Sequence, residues 1–363
     1  MRVSRSKYIV LGALLTLISA SSVGEVRAIA PLAGVVRGPS VPALAHAPRL
    51  GRIFKNLDPA YRRASYDKRI YSLIVGGRTW LVPARRASAL PSVAPDVEFL
   101  RENHREANVT WIGHSTLLVQ LDGVNFLTDP TWANRSGPFN GAVGARRYTP
   151  PPVRLEDLPP IDFVLISHDH YDHLDEATVV RLARLYNPLF VVPLGIKGWL
   201  ADRGVTRAVE LDWGESVTFK GLTLVCTPAQ HGSGRTPLDQ GRRLWASWAV
   251  IGSQRFYFGG DSGYYQHYKE IGDALGPFDL AALPIGSYTP RDLARPVHMS
   301  PEDAVQAWLD LRAKRFIAIH WGTFMLAREP YDEPSRRLAA EIERRQLDPD
   351  EFFVPRPGDL VRW

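Results

Sequence analysis

Cysteine is almost absent from this chain of 363 residues, which contains only Cys226. A single cysteine cannot form an intramolecular disulfide bond, and it cannot build a zinc site rich in thiolate ligands. Cys226 lies within the apolar run at residues 222–226. We therefore expect a small buried side chain there rather than a nucleophile.

Long apolar runs and dense clusters of one charge are also missing beyond the first residues. After residue 20, no segment of the sequence reaches the roughly 20 apolar residues that a membrane-spanning helix needs. The net charge is +6, but the arginines are scattered, which favours a solvated basic surface over a nucleic-acid-binding arm. Apolar residues make up 45% of the chain, which is enough to bury a large core.

The N-terminus has the pattern of an export signal. Basic residues precede an apolar stretch at residues 8–20, which is short for a spanning helix, and small residues follow it. We predict cleavage after Ala20, Ala28 or Ala45, with a retained anchor as the alternative. In either case the folded part would be extracytoplasmic, either periplasmic or membrane-associated.

From residue 108 onward, short apolar runs alternate with single helical patterns. The runs predict strands at residues 109–112, 115–121, 125–128, 161–166, 189–193, 208–211, 216–219, 222–227, 245–251, 255–258, 280–284 and 315–319. Helical spacing predicts helices at residues 175–184, 196–203, 301–314 and 334–345. This order fits neither a regular βαβ ladder nor an all-β protein. It favours two sheets packed together with helices outside them. The fold of residues 56–105, including short apolar pieces at 71–75 and 80–82, is not evident from the pattern.

The strongest motif directly follows the strand predicted at residues 161–166. It places three histidines and an aspartate within six residues, in the order His168, His170, Asp172 and His173. The first two histidines can face one ion from an extended turn, and the next two ligands can reach a second ion. Imidazole and carboxylate ligands suit Zn²⁺, whereas Mg²⁺ and Ca²⁺ prefer oxygen alone. A metal-free surface cluster is a poor alternative, because the whole chain has only ten histidines.

Three further residues of metal-ligand type each follow an apolar run. His231 comes after residues 222–227, Asp261 after residues 255–258, and His320 after residues 315–319. Two glycines precede Asp261 and would allow close backbone approach. A single histidine at a strand end is commonly structural. The complete order of His-x-His-x-Asp-His, His, Asp and His is specific.

These motifs resemble those of the metallo-β-lactamase superfamily from about Asn108 to about Glu329. The resemblance implies an α/β fold of the α+β type, a four-layer αββα sandwich of two mixed β-sheets flanked by helices. It also implies two zinc ions per chain. In that family His168, His170 and His231 would hold one zinc, Asp172, His173 and His320 would hold the other, and Asp261 would bridge both. Asp129 matches an aspartate that supports the metal loop without binding metal.

Motifs outside the metal loop resemble the branch of N-acylphosphatidylethanolamine-hydrolysing phospholipases D. They include residues 112–116, 127–130, 227–231, 260–264, 284–288 and 318–324. That branch is zinc-dependent, membrane-associated and typically dimeric. The chain departs from it at Gly232 and Val297, where the branch typically carries Trp and Gln.

The resemblance implies hydrolysis of N-acylphosphatidylethanolamine or a related glycerophospholipid by a metal-bridging hydroxide. The products would be N-acylethanolamine and phosphatidic acid. We predict Asp172, Asp261 and His298 as catalytic residues, with His298 contacting phosphate or acting as a general acid. Tyr171, Tyr288 and His298 are predicted substrate contacts, and His114 is predicted to be a buried histidine of a turn. The expected partners are a phospholipid or other phosphodiester, a membrane surface and a second copy of the chain, without nucleic acid.

Two other functions stay open at this point. Related branches keep the same metal loop, so the substrate could be another ester such as a lactone or a cyclic phosphate. A non-catalytic, zinc-stabilised membrane protein is the third possibility, but it would not need a complete ligand set. We divide the chain into a signal peptide or N-terminal anchor at 1–28, a linker and N-terminal extension at 29–105, and the hydrolase domain at 106–363.

Overall fold

Short strands and single helices follow one another along the chain in the computed structural model, which describes residues 32–58, 61, 90–327 and 329–363. The strands are β1 (Val35–Arg37), β2 (Arg49–Leu50), β3 (Ile53–Phe54), β4 (Asn108–Gly113), β5 (Thr116–Leu121), β6 (Val124–Thr128), β7 (Arg135–Ser136), β8 (Ala145–Arg146), β9 (Phe163–Leu165), β10 (Leu189–Pro193), β11 (Ala208–Leu211), β12 (Ser216–Phe219), β13 (Leu222–Thr227), β14 (Ser247–Ile251), β15 (Arg255–Phe258), β16 (Leu280–Pro284), β17 (Phe316–Ile319), β18 (Phe352–Phe353) and β19 (Leu360–Arg362). The helices are α1 (Val97–Glu102), α2 (Pro138–Gly141), α3 (Glu176–Tyr186), α4 (Ile196–Ala201), α5 (His267–Leu275), α6 (Arg291–Ala294), α7 (Pro301–Asp310) and α8 (Glu333–Arg345).

Two large mixed sheets form the middle of the molecule. The eight-stranded sheet has the order β1-β12-β13-β14-β15-β16-β17-β18, and the seven-stranded sheet has the order β11-β10-β9-β6-β5-β4-β19. In the first sheet, the pairs from β1 to β15 are antiparallel and those from β15 to β18 are parallel. In the second, the pairs from β11 to β6 are parallel and the remainder antiparallel.

The two sheets pack face to face through aromatic side chains. Phe126 and Phe163 of the seven-stranded sheet stack with ring centroids 4.5 Å apart, and Phe256 and Phe219 of the other sheet meet them edge to face. Successive side chains of a strand point to opposite faces. Val164, the residue after Phe163, accordingly belongs to an outer core beneath the helices, together with Leu182 of α3 and Ile196 of α4.

Helices cover the outer faces and complete the expected four-layer αββα sandwich. α7 begins with a capping box, in which the side chains of Ser300 and Asp303 each accept a hydrogen bond from the backbone N–H of the other. The sequence predicts this helix as far as residue 314. It ends at Asp310, because Arg312 adopts a left-handed backbone conformation with φ of 54° and Lys314 N–H donates to Phe278 of another segment.

The segment predicted as a linker and N-terminal extension, residues 29–105, contributes regular structure where it is described. β1 pairs with β12 at the edge of the eight-stranded sheet, β2 and β3 form a small hairpin, and α1 packs on the outer core. The described residues from Gly34 to Trp363 cluster into one compact unit. The domain boundary at residue 106 stays a prediction.

Two predictions fall on parts of the chain outside the described residues. These are the export signal or anchor at residues 1–28 and the short apolar pieces at 71–75 and 80–82. Within the described part of the chain, every helix lacks the length or the apolar character that a membrane crossing requires.

Candidate metal centre

The metal-ligand candidates converge because parallel strands end side by side. β6 and β9 are parallel neighbours, so Asp129 after β6 lies next to the loop that follows β9 and carries His168. β15, β16 and β17 are also parallel, which brings Asp261 and His320 to one edge of the other sheet. The two edges meet, since Trp248 Nε1 donates to Ile166 O at 2.9 Å. The seven predicted ligands therefore gather at one end of the sandwich.

Asp129 holds the loop at residues 167–173 in place, a role that the family resemblance implies. Its carboxylate accepts from Ser167 N–H at 2.7 Å and from the Ser167 hydroxyl at 2.5 Å, and it lies 2.6 Å from His173 Nδ1. Burial raises the pKa of Asp129, although His173 and Ser167 oppose this shift. The contact with Nδ1 leaves His173 Nε2 facing the other ligands.

Three imidazole nitrogens face one another in the first ligand set. His170 Nδ1 lies 2.8 Å from His168 Nε2 and 3.2 Å from His231 Nε2. Nitrogens that share a tetrahedral ion at about 2.0–2.1 Å lie about 3.3 Å apart, close to this spacing. His231 Nδ1 donates to Val297 O at 2.8 Å, which leaves Nε2 unprotonated. Burial lowers the pKa of both His168 and His231, so these ligands are neutral, as metal binding requires.

The second ligand set combines two imidazoles with two carboxylates. Asp261 Oδ2 lies 3.2 Å from His173 Nε2 and 3.1 Å from His320 Nε2, and Asp172 Oδ2 lies 3.3 and 3.5 Å from the same nitrogens. Asp261 Oδ2 is also 4.0 Å from His168 Nε2 and 3.7 Å from His231 Nε2. Asp261 therefore lies between the two sets, where a bridging ligand would be.

The donor set fits divalent cations of the Zn²⁺ type. His173 Nε2, His320 Nε2 and Asp261 Oδ1 are buried without a hydrogen-bond partner among the described residues, which is costly unless a ligand satisfies them. Burial would lower the pKa of His320, but Asp261 and Asp172 outweigh it and raise that pKa to about 9. A bound cation would take the place of the proton that His320 holds beside Asp261 and Asp172.

Three site residues occupy strained backbone conformations. The φ angles of His114, Asp129 and His320 are 55°, 36° and 58°, in a region that non-glycine residues enter only when the surroundings hold them there. Gly260, before Asp261, also has positive φ, and a Cβ at this position would lie 2.5 Å from the Cβ of Ser167. The glycine therefore permits the close contact between the two loops that the sequence suggests.

His114 lies directly behind the second ligand set. It is buried in the turn after β4, and its Nε2 lies 3.0 Å from Asp172 Oδ2. Burial lowers the pKa of His114 to about 3, so the ring is neutral and can donate to Asp172 through Nε2–H. Its ring centroid is 4.2 Å from that of His320. His114 therefore orients the carboxylate of Asp172 within the second ligand set.

Asp169 is a site residue that the sequence motif does not reveal. It stands between His168 and His170, is fully buried, and accepts from Gly234 N–H and from Arg243 Nη1, each at 2.7 Å. These contacts fix the metal loop to the loop that follows His231. The local sequence does not distinguish Asp169 from a residue that only separates the two histidines, because its hydrogen-bond partners lie 65 and 74 residues away.

A cleft of about 540 Å³ opens beside His170, His231 and His298. Its walls combine apolar and polar side chains, and one wall comes from the N-terminal segment that the sequence presents as a linker. The residues of that segment which line the cleft are Ile53, Phe54, Lys55, Asn56, Asp58 and Tyr61. The remaining lining residues include Trp245, Leu293 and Val297.

The three predicted substrate contacts have different surroundings. His298 lines the cleft with Nδ1 3.8 Å from Asp261 Oδ2, and burial lowers its pKa to about 4. Tyr171 donates to Arg235 O at 2.8 Å and lines a separate cavity of about 570 Å³. Tyr288 is fully buried, and its hydroxyl donates to Glu333 at 2.7 Å. A substrate could reach Tyr288 only after a rearrangement, whereas His298 is already accessible.

Comparison with known proteins identifies the family of the chain. The family description "Beta-lactamase superfamily domain" matches residues 124–321. The chain is 46% identical over 267 residues to the "N-acyl-phosphatidylethanolamine-hydrolyzing phospholipase D 1" of Caenorhabditis elegans, covering 69% of this chain and 74% of that protein. It is 44% identical over 320 residues to an uncharacterized protein of Mycobacterium tuberculosis, covering 85% and 82% of the two chains.

A solved structure supports the fold alone. Igni18, a metallo hydrolase from the archaeon Ignicoccus hospitalis, superimposes with a TM-score of 0.53 at 23% sequence identity. The match covers 71% of this chain and 99% of that one.

Proposed function

The chain belongs to the metallo-β-lactamase superfamily and is a metal-dependent hydrolase, and on that premise we propose that it is a binuclear zinc phosphodiesterase of the phospholipase D type. Its substrate is N-acylphosphatidylethanolamine or a related glycerophospholipid, and its products are N-acylethanolamine and phosphatidic acid. The observation that carries the proposal is the buried cluster of seven ligands, with Asp261 between its two sets. The 46% identity to a relative named for this reaction supports the choice of substrate.

The donor atoms support zinc as the metal and two groups of ligands, one group for each ion. His168, His170 and His231 would hold one ion, Asp172, His173 and His320 the other, and Asp261 both. Ions held there would lower the pKa of a water molecule toward neutrality and polarise the phosphoryl oxygens. The chain itself fixes the ligands through Asp129, which contacts Nδ1 of His173, the ring nitrogen that faces away from the ions, and through His114, whose Nε2–H donates to Oδ2 of Asp172.

His298 is the residue best suited to contact the reacting phosphate. Its ring lines the cleft near Asp261, and Nδ1 has no hydrogen-bond partner among the described residues. With a pKa of about 4, the ring is neutral at pH 7 and can donate one hydrogen bond to a phosphate oxygen. This favours phosphate orientation over proton donation from an imidazolium.

The walls of the cleft suit an amphipathic substrate. Phe54, Trp245 and Leu293 present apolar surface close to His231, where the glycerol or acyl portion of a lipid could lie. Lys55 adds a positive charge to the lining of the cleft and Asp58 a negative one. An extracytoplasmic location, contact with a membrane surface and a homodimer belong to the same proposal, and they rest on the N-terminal pattern and the family resemblance.

Hydrolysis of another ester, such as a lactone or a cyclic phosphate, is the second candidate. Gly232 and Val297, the two departures from the phospholipase branch, both line the cleft. Compared with the Trp and Gln of that branch, glycine and valine at these positions leave more space beside the ligand cluster and offer a substrate fewer side-chain hydrogen bonds.

The test combines metal analysis with a direct product assay. The purified chain is assayed for bound zinc and incubated with N-acylphosphatidylethanolamine, and the products are identified by mass spectrometry. We expect about two zinc ions per chain and release of N-acylethanolamine together with phosphatidic acid. Two zinc ions without lipid turnover would favour the other ester. A chain that binds no metal after reconstitution would overturn the proposal.

A further inference from the structure

Asn56, in the N-terminal segment, makes a reciprocal pair of hydrogen bonds with the backbone of His231. Its Nδ2 donates to His231 O at 2.9 Å, and its Oδ1 accepts from His231 N–H at 3.1 Å. The two residues are 175 positions apart in the sequence. The side-chain amide thus pairs with a ligand residue as a neighbouring β-strand would.

The orientation of the Asn56 amide follows from a second donor. Trp245 Nε1–H donates to Asn56 Oδ1 at 3.0 Å and to Ala229 O at the same distance. Both His231 N–H and the indole N–H are donors only. Oδ1 must therefore face them, which leaves Nδ2 for the carbonyl oxygen of His231.

The segment around Asn56 is itself anchored to the loop beyond His231. Phe54 is buried, and its N–H donates to Gly241 O at 2.8 Å. Lys55 N–H donates to Pro48 O at 2.8 Å, within the same N-terminal segment. Asn56 is consequently held by its own side chain and by the backbone hydrogen bonds of the two residues before it.

We infer that Asn56 is a positioning residue for the metal centre, and that the N-terminal segment is thereby a working part of the active site rather than a linker. The inference rests on the proposed metal centre. His231 is otherwise oriented by the contact of its Nδ1 with Val297 O, which fixes the ring angle but not the backbone. Asn56 fixes the backbone, and the two contacts together direct Nε2 toward Nδ1 of His170.

The test measures zinc affinity in the full-length chain. Asn56→Ala removes the amide, and Asn56→Leu removes its hydrogen bonds while keeping a similar side-chain shape. For both variants we expect zinc affinity, measured by competition with a chromogenic chelator, to fall about 10- to 100-fold. The melting temperature of each metal-free variant is measured in parallel, so that a loss of global stability is separated from a loss of affinity.

Asn103→Ala is the matched control. Asn103 also bridges side chain and backbone, since its Nδ2 donates to Glu106 O at 2.8 Å and its Oδ1 accepts from Glu106 N–H at 2.9 Å. We expect this variant to lower the melting temperature and to leave zinc affinity unchanged. Equal zinc affinity in wild type and both Asn56 variants would overturn the inference alone. A wild-type chain without zinc affinity would overturn the proposed metal centre and the inference with it.

Discussion

Single hydrogen bonds decide which nitrogen of each histidine faces the ligand cluster. Nδ1 of His173 contacts the carboxylate of Asp129, and Nδ1 of His231 donates to Val297 O. Both rings therefore present Nε2 to the ligand cluster. His170 differs, because its Nδ1 is the atom that approaches His168 and His231. His170 therefore presents to the first set the ring nitrogen nearer its backbone, whereas His168 and His231 present Nε2.

Removal of one ligand at a strand end is expected to abolish activity and leave the fold intact. His170→Ala takes away a ligand of the first set, and Asp261→Asn weakens the ligand between both sets. We expect turnover to fall by more than about 100-fold, with loss of bound metal and an unchanged far-ultraviolet circular dichroism spectrum. His104→Ala, at an exposed histidine, is the control and should retain activity. Unchanged turnover in either ligand variant would rule out the metal mechanism.

At this scale the sequence identifies candidate ligands more readily than the residues that hold them in place. The seven candidate ligands are recognisable because they follow four apolar runs in a specific order. Asp129 is recognised only through the family resemblance. Asn56 and Asp169 escape notice, because their roles depend on partners 175 and 65 residues away and no local pattern encodes such contacts.

The short helix α6 and the start of α7 together hold His298 at the cleft. Arg291 of α6 donates through Nη1 to His298 O at 2.9 Å and pairs with Asp303 of the capping box through Nη2. One guanidinium thus links the backbone of His298 to the N-terminus of α7. His298 is thus held through its backbone, by Arg291 at its carbonyl oxygen and by Ala294 O, which accepts from His298 N–H at 2.7 Å.

Replacement of Arg291 is expected to reduce turnover without loss of metal. Arg291→Met keeps the length of the side chain but removes both contacts, so His298 should move relative to the ligand cluster. A displacement of about 1 Å can cost about 100-fold in rate, and we expect a decrease in kcat of about 10- to 100-fold with unchanged zinc content. Arg295→Met, at an exposed arginine next to α6, should behave as wild type. Loss of zinc from Arg291→Met would assign the arginine to the metal centre instead.

α8 is docked on α7 by a buried carboxylate whose stabilising effect depends on pH. Glu341 accepts from Arg344 and Arg345, and Arg345 Nη1 also donates to Gln306 of α7 at 2.9 Å. These hydrogen bonds, above all that from Arg344, lower the pKa of Glu341 from 4.5 to about 2. Because the folded pKa lies below the unfolded value, the stabilisation is complete above pH 4.5 and is lost as the pH falls toward 2.

Glu341→Gln is therefore expected to destabilise the fold at neutral pH and to matter less in acid. We expect a loss of about 1–3 kcal/mol in the free energy of unfolding at pH 7, since hydrogen bonds to a charged group are removed. Urea titrations at pH 7 and pH 3 measure the difference, which should shrink at the lower pH. Glu343→Gln, at an exposed position of the same helix, controls for the loss of one charge. An equal difference at both pH values would contradict the assignment.

Elements with strong local patterns are predictable from the sequence, and those formed by distant pairing are not. The strands at 189–193, 208–211, 216–219, 222–227, 255–258 and 280–284 have the predicted bounds. β1, β18 and β19 are two or three residues long and exist because they pair with β12, β17 and β4. Such short edge strands carry no periodicity, so the sequence presents β1 as part of a linker.

At the scale of the whole molecule, the two sheets have separate roles around one centre. The seven-stranded sheet supplies His168, His170, Asp172 and His173 from the loop after β9, and the eight-stranded sheet supplies His231, Asp261 and His320. Bound ions would therefore join the two sheets at their common edge. Metal binding and global stability are coupled for this reason, because the unfolded chain lacks the assembled ligand set.

Removal of the metal is expected to lower the melting temperature of the whole chain reversibly. Zinc at 100 times its dissociation constant would stabilise the folded state by about 2.7 kcal/mol per site, and chelation should remove that contribution. Scanning calorimetry with zinc, with a chelator and after zinc is restored measures the effect. Asp261→Asn should respond less than wild type, because its bridging ligand is weakened, whereas His104→Ala should respond fully. Identical melting temperatures with zinc and with chelator would mean that the ligand cluster does not join the two sheets through a bound ion.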